Sequence, residues 1–156
     1  MSTYQAQVKW QRAKDEGYID NKYSRAHLWQ FDGGLSVAAS SSPHIVPEPY
    51  SVAANVDPEE AFIASISSCH MLFFLSIAAK RGFIVDSYLD KTEGYMGKDQ
   101  SGCISITQVR LNPHIIFSAD TCPSSKDIDN IHHQAHQQCF IANSVKAEII
   151  INSTTS

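Results

Sequence analysis

The chain has 156 residues, of which 43% are hydrophobic, and a formal net charge of -4 at pH 7. This length suits one domain with a sizeable core, which we expect to span residues 1–156. Without a basic excess, neither nucleic acid nor an anionic membrane surface is an expected partner. Residues 1–14 lack the apolar run of a signal peptide, so we expect a cytoplasmic protein. In that compartment cysteines are more often free thiols, ligands or redox groups than structural disulfides. The chain has four: Cys69, Cys103, Cys122 and Cys139.

Three strands are predicted in the N-terminal third. Residues 4–11 alternate apolar and polar side chains, the period of a half-buried strand. Residues 23–31 predict a second strand, and the Asp-Gly-Gly run at 32–34 signals a hairpin into a third strand at 35–40. The proline-containing residues 41–55 predict a loop.

A long central helix is predicted next. Asp57 suits the N-cap, Pro58 the first helical position and Glu60 the capping box, while Gly82 suits the left-handed position after the last turn. Residues 61–79 carry no charge, and their apolar side chains lie almost all round the helix, which is typical of a helix buried in a core or a bilayer.

The serines, the cysteine and the histidine of this helix make it too polar for a transmembrane segment. No second apolar segment exists to pair with it in a bilayer. We therefore expect a central helix wrapped by sheet.

The remainder predicts two strands, a second helix and a final strand, which completes an α+β domain. Ser124 and Asp127 form the capping box of the second helix. The predicted ranges are strands at 83–92 and 103–117, a turn at 98–102, an interruption of the second strand at 112–113, and a closing strand at 145–151.

Two cysteines are predicted on the inward faces of these helices. Cys69 lies near the middle of the first, and Cys139 continues the apolar stripe of the second. A thiol reacts as thiolate, so a reactive pair needs a nearby cation, and Arg25 is one candidate. From periodicity alone, two inert core cysteines are the simpler interpretation, and Cys103 and Cys122 receive no role.

A metal site is an alternative. His132, His136 and Cys139 are spaced i, i+4 and i+7, and His70 adjoins Cys69, so two cysteines and two histidines could surround zinc. The spacing matches no known zinc-finger pattern. A cysteine hydrolase is weaker still, because no histidine can be assigned as its base.

Two segments carry a resemblance to a known family. Residues 56–70 (VDPEEAFIASISSCH) resemble the Asn/Asp-Pro-Glu-Glu/Gln…Cys signature of the OsmC/Ohr thiol-dependent peroxidases. Residues 135–143 (AHQQCFIAN) resemble the His-x-x-Cys-Pro segment around that family's second cysteine, with Phe140 in place of the proline. His70 likewise replaces a usual apolar residue. Residues 23–34 resemble the early strands of OsmC-like members.

The resemblance implies roles for four residues. Cys69 matches the peroxidatic cysteine and Cys139 the resolving one. Glu59 matches the family glutamate, and Arg25 is the best match to the arginine that polarises the thiolate. The implied fold is the OsmC-like one, an antiparallel sheet around a long central helix with a second helix near the C-terminus.

The implied activity is reduction of organic hydroperoxides through a sulfenic acid and a Cys69–Cys139 disulfide. No cofactor is expected to be tightly bound. An external dithiol, of lipoyl type by resemblance, would reduce the disulfide. The expected assembly is an intertwined homodimer with sites at the interface. The competing hypotheses are a non-catalytic OsmC-like binding protein and the zinc protein described above.

Overall fold

Nine strands and two α-helices follow one another along the chain. A computed structural model describes all residues, 1–156, in two units, Met1–Ala61 and Phe62–Ser156. The elements in chain order are β1 (Ala6–Lys9), β2 (His27–Phe31), β3 (Ser36–Ala39), α1 (Pro58–Lys80), β4 (Val85–Asp90), β5 (Glu93–Lys98), β6 (Ile104–Leu111), β7 (Pro113–Phe117), α2 (Ser125–Gln138), β8 (Glu148–Ile151) and β9 (Thr154–Thr155).

The first unit contains the predicted three-stranded meander. β1 pairs with β2 and β2 with β3, all antiparallel. Trp29 of β2 lies opposite Val8 on one side and Val37 on the other, so these three side chains share one face of the sheet. The hairpin turn after β2 contains Gly34, which has a φ of 88°. Residues with a side chain rarely adopt this conformation, so the turn favours glycine.

The ends of α1 are as predicted. The side chain of Asp57 accepts a hydrogen bond from the backbone N–H of Glu60 at 2.7 Å, and the Glu60 carboxylate accepts one from the N–H of Asp57 at 3.2 Å. At the other end Gly82 has a φ of 81°, and the N–H of Phe83 reaches the carbonyl of Ala78 at 3.0 Å. This six-to-one bond is the signature of a Schellman motif.

The second unit packs two apolar clusters against the same helix. Ile66 meets Val109 and Leu111 of β6. Further along α1, a larger cluster joins the helix to β7 and to α2; its buried members are Phe74, Ile77, Ala78, Ile115, Phe117, Ile128, Ile131 and Ala135. The two clusters therefore fix α1 against β6 at one end and against α2 at the other.

One face of α1 is open in the single chain, contrary to the prediction of a helix covered all round. Leu72 is 61% exposed. The other exposed positions between the caps carry small side chains: Ala64, Ser65, Ser68, Ser76 and Ala79. Contrary to the expectation from its serines, cysteine and histidine, α1 is long and apolar enough to cross a membrane; core helices of soluble proteins share this property.

The interruption predicted at 112–113 is confirmed, since Asn112 separates β6 from β7. Other details of the sheets differ from the prediction. β5 lies outside the predicted strands; at its Gly94 an added Cβ would lie 2.7 Å from the Ile63 side chain, so close strand–helix packing requires the glycine. In addition, β8 pairs parallel to β6 and β9 parallel to β7, so the sheets are mixed rather than purely antiparallel.

Candidate redox site

Cys69 occupies the middle of α1. It is half-buried, between the exposed Ser68 and the buried His70. Two residues earlier, Ser67 donates a hydrogen bond to the carboxylate of Asp90 at the end of β4, and the same carboxylate accepts one from the backbone N–H of Asn112 at 2.6 Å. The helix that carries Cys69 is thus attached to the sheet by a polar contact as well as by its apolar clusters.

Cys139 is the residue at which α2 ends. Ser124 and Asp127 form the predicted capping box at the start of this helix, and Cys139 is its C-cap, with its N–H bonded to the carbonyl of Ala135 at 2.9 Å. Cys139 is therefore not part of the helical stripe as predicted, although it is fully buried. The backbone N–H of Ala142 donates to its Sγ at 3.3 Å.

Cys69 and Cys139 are neighbours in the structure, and both cysteines are free. Burial, followed by the nearby Cys69 side chain, raises the pKa of Cys139 to about 11. At neutral pH Cys139 is therefore held as a thiol in the reduced protein.

Two aromatic rings lie beside the thiol pair. Phe73 follows Cys69 by one helical turn and Phe140 follows Cys139 directly; their rings meet edge to face, with centroids 5.2 Å apart. Phe140 is 70% exposed, and Leu72 is the exposed neighbour of Phe73 on α1. The thiols therefore have an apolar and accessible border.

The histidines of the predicted zinc site are arranged differently. His70 Nε2 and His132 Nδ1 lie 2.9 Å apart, so these nitrogens face each other instead of a common centre. No group of three or more His, Cys, Asp or Glu side chains is placed to hold a metal ion. The residues present do not fit the zinc alternative.

Arg25 and Glu59 belong to the N-terminal unit. The guanidinium of Arg25 donates to the carbonyls of Asn21 and Tyr23 and, at 2.9 Å, to the Asn21 side chain, and it lies 3.8 Å from the centre of the Tyr23 ring. Glu59 is not among its partners. Glu59 is half-buried in the first turn of α1, where its charge suits the helix dipole. Of the four predicted site residues, the structure brings Cys69 and Cys139 together.

Sequence reasoning assigned no role to Asp90 or to the contact between His70 and His132. The adjacency of His70 to Cys69 and the helical spacing of His132 and His136 were visible signals, but the spacing suggested metal binding. Only the packing of α1 against α2 shows that His70 and His132 are hydrogen-bonded to each other.

This arrangement defines an α+β protein with a pair of neighbouring thiols carried by its long helix and by the end of its second helix. Residues 52–154 match the family described as OsmC-like protein, and the chain belongs to that family. Its fold is that of a soluble protein.

Solved structures agree with this assignment. An OsmC-like protein of unknown function from Vibrio cholerae is 52% identical, with a TM-score of 0.97, and the match covers 99% of this chain and 100% of that one. An organic hydroperoxide resistance protein from Elizabethkingia anophelis is 16% identical with a TM-score of 0.70, covering 100% and 96%. OhrB of Bacillus subtilis, also an organic hydroperoxide resistance protein, is 13% identical with a TM-score of 0.62, covering 99% and 98%. No curated protein matches the chain.

Proposed function

We propose that the chain is a thiol-dependent peroxidase that reduces organic hydroperoxides through Cys69 and Cys139. The observation that carries the proposal is the proximity of a half-buried and a fully buried free thiol. Family membership supports it, since relatives of the same fold are named for organic hydroperoxide resistance.

The two thiols have different roles in this proposal. Because Cys139 has a pKa of about 11, the attacking group is Cys69, which is also the more accessible of the two. A Cys69 thiolate attacks one peroxide oxygen; the S–O bond forms as the O–O bond breaks, and the alkoxide takes a proton and leaves as the alcohol. The product is a sulfenic acid at Cys69.

Cys139 then closes the disulfide. Its sulfur attacks the sulfur of Cys69, the thiol proton goes to the departing hydroxyl, and water leaves. Because the two cysteines are neighbours, we expect little movement to be needed to bring the sulfurs to bonding distance. An external dithiol, of lipoyl type, reduces the disulfide by two exchange steps and becomes a disulfide itself. No tightly bound cofactor takes part.

The border of the site supports an organic substrate. Phe73 and Phe140 supply aromatic edges, and the exposed Leu72 adds apolar surface. Burial of an alkyl or aryl group there favours such hydroperoxides over hydrogen peroxide, which has no apolar part to bury. A reducing compartment fits the free cysteines, and we place the protein in the cytoplasm.

We further propose that the working unit is a homodimer. The N-terminal sheet leaves apolar side chains exposed on the face that Trp29 shares: Val8 is 69% exposed and Phe31 40%. The open face of α1 with Leu72 is a second such surface. Self-association would cover both, and an interface would let Arg25 and Glu59 of one protomer serve the cysteines of its partner.

A steady-state assay with cumene hydroperoxide and dihydrolipoamide tests the function. Native protein should turn over, Cys69→Ser should not, and the matched control Cys103→Ser, at an exposed site, should behave as native. Native protein that consumes no peroxide would refute the proposal and favour a non-catalytic binding protein.

A further inference from the structure

His70 and His132 form a buried pair across the two helices. The side chains are 1% and 5% exposed, and their ring planes are parallel within 4°. His70 Nε2 and His132 Nδ1 are 2.9 Å apart, so one of them carries the hydrogen and the other accepts it. The Phe74 ring, 4.4 Å from that of His132, closes the apolar side.

Packing alone does not explain this pair. His70 Nδ1, His132 Nε2 and the nearby His136 Nδ1 are buried without a hydrogen-bond partner in the chain. An apolar pair of similar shape would avoid the cost of burying these nitrogens. What an apolar pair cannot supply is a directional link between α1 and α2.

The position of the link relates it to the thiols. His70 follows Cys69 directly on α1, and His132 precedes Cys139 by about two turns of α2, a rise of roughly 10 Å. The helices therefore approach each other at a hydrogen bond between imidazoles and at two neighbouring cysteines. We propose that the His70–His132 hydrogen bond is the positioning contact that holds Cys139 against Cys69 and thereby sets how readily their disulfide closes.

This inference rests on the proposed use of the thiol pair but not on peroxide chemistry, and glutathione tests it directly. Cys69 and Cys139 give two electrons and two protons to glutathione disulfide, which becomes two glutathione molecules. The equilibrium constant of this reaction measures how well the fold presents one thiol to the other. The free energy of unfolding does not enter this equilibrium constant when the oxidised and reduced forms are both folded.

Two substitutions at His132 separate the hydrogen bond from the shape. His132→Leu removes the bond, whereas His132→Asn places an amide where Nδ1 was. We expect His132→Leu to lower the equilibrium constant about tenfold, as for coupled neighbours, and His132→Asn to stay within about threefold of native. Acid quenching, alkylation of free thiols and peptide mass mapping give the oxidised fraction at each glutathione ratio.

Two controls are matched to these variants. His133→Gln alters an exposed neighbour on α2, and Ile131→Val weakens the core beside His132 without touching the pair. Both should keep the native constant. A folded His132→Leu with the native constant overturns the proposal, as does an Ile131→Val that lowers it equally.

Two substitutions at His70 test the same hydrogen bond if the His132 variants do not fold. His70→Met removes the bond at similar length, and His70→Gln keeps an amide near the Nε2 position. If neither His132→Leu nor His70→Met folds, His70→Gln alone decides. An equilibrium constant with glutathione that is more than about tenfold below the native value then overturns the proposal. A native chain that forms the disulfide in glutathione but reduces no hydroperoxide refutes the peroxidase function only. Failure of the Cys69–Cys139 disulfide to form in any glutathione buffer refutes both.

Discussion

Cys139 is the neighbour of Cys69, and the nearby Cys69 side chain contributes, after burial, to the raised pKa of the Cys139 thiol. Cys139 is fully buried at the end of α2, and Cys69 is half-buried in the middle of α1. One sulfur is therefore kept protonated and sheltered while its partner faces the accessible side. This asymmetry is what a peroxidatic and a resolving cysteine require.

The first prediction concerns the pattern of disulfides after oxidation. One equivalent of alkyl hydroperoxide should convert Cys69 and Cys139 to an intramolecular disulfide because the two cysteines are neighbours. Cys103 and Cys122 are exposed and should stay free. Peptide mapping after alkylation checks this, and a different pair, or only over-oxidised Cys69, would contradict it.

The second prediction tests Arg25. Arg25→Ala should slow the attack of Cys69 on peroxide by about tenfold or more, because the guanidinium would stabilise the thiolate and the departing oxygen. Stopped-flow measurement of sulfenic acid formation separates this step from disulfide closure. Asn21→Gly is the matched control: it removes the side-chain oxygen that Arg25 binds and tolerates the φ of 65° at that position.

A native rate in Arg25→Ala would exclude Arg25 as the activating cation. Slowing by both variants to the same extent would indicate that the local conformation of residues 21–25, and not the charge, matters.

The third prediction concerns the stability of the start of α1. Asp57→Ala removes the acceptor for the N–H of Glu60 and should lower the free energy of unfolding by about 1 kcal/mol. Glu59→Gln, which alters the same turn without touching the cap, should cost only a few tenths of a kcal/mol through the helix dipole. Urea denaturation followed by circular dichroism measures both, and equal losses would contradict the capping assignment.

Local signals such as helix caps explain which parts of the fold could be predicted from the sequence. The capping boxes at Asp57 and Ser124 and the glycine end at Gly82 depend on residues within a few positions, so the sequence states them directly. The parallel pairing of β8 with β6 depends on contacts across roughly 40 positions and leaves no local pattern.

In the candidate site, too, some features could be predicted from the sequence and others could not. Motif resemblance and helical spacing predicted the meeting of Cys69 and Cys139. They did not predict that Cys139 would be the residue ending α2, since a buried C-cap and a helical stripe position look alike in sequence. The hydrogen bonds of Arg25 to its own segment were equally invisible, because backbone carbonyls carry no sequence signature.

The fourth prediction is a loss of stability in acid. Burial lowers the pKa of His70 and of His132 to about 4, against about 6.5 in the unfolded chain. Between these values the unfolded chain binds more protons, so stability is complete above pH 6.5 and is lost as the pH falls toward 4. For two protons the slope reaches at most about 2.7 kcal/mol per pH unit.

Other charges near His70 act on the same titration. The positive charges of His132 and His136 from α2 also lower its pKa, while the carboxylate of Asp90 raises it; Tyr88 stays neutral, since burial raises its pKa. Urea unfolding at pH 7, 6 and 5 should show a shallower pH dependence in the His70→Gln, His132→Asn double variant than in native protein. If the free energy of unfolding had the same pH dependence in both proteins, the acid sensitivity would not come from His70 and His132.

The last prediction is that the active unit is a dimer with shared sites. Glu59 and Cys69 are ten positions apart on α1, which separates their Cα atoms by roughly 15 Å along the axis and turns them about 80° apart. Their side chains cannot meet within one helix. A glutamate and an arginine contributed by a partner subunit remove this difficulty, because two-fold symmetry then creates two identical sites.

Mixing of two inactive variants tests the shared site. Cys69→Ser removes the nucleophile, and Glu59→Ala removes the group that would hold the arginine. If each site combines Glu59 of one chain with Cys69 of the other, a mixed dimer has both defects in one site and neither in the second, so activity returns after subunit exchange. Cys69→Ser mixed with Cys139→Ser is the control, because both thiols belong to one chain and no site is restored. Light scattering that shows a peroxidase-active monomer at assay concentration would refute the dimer.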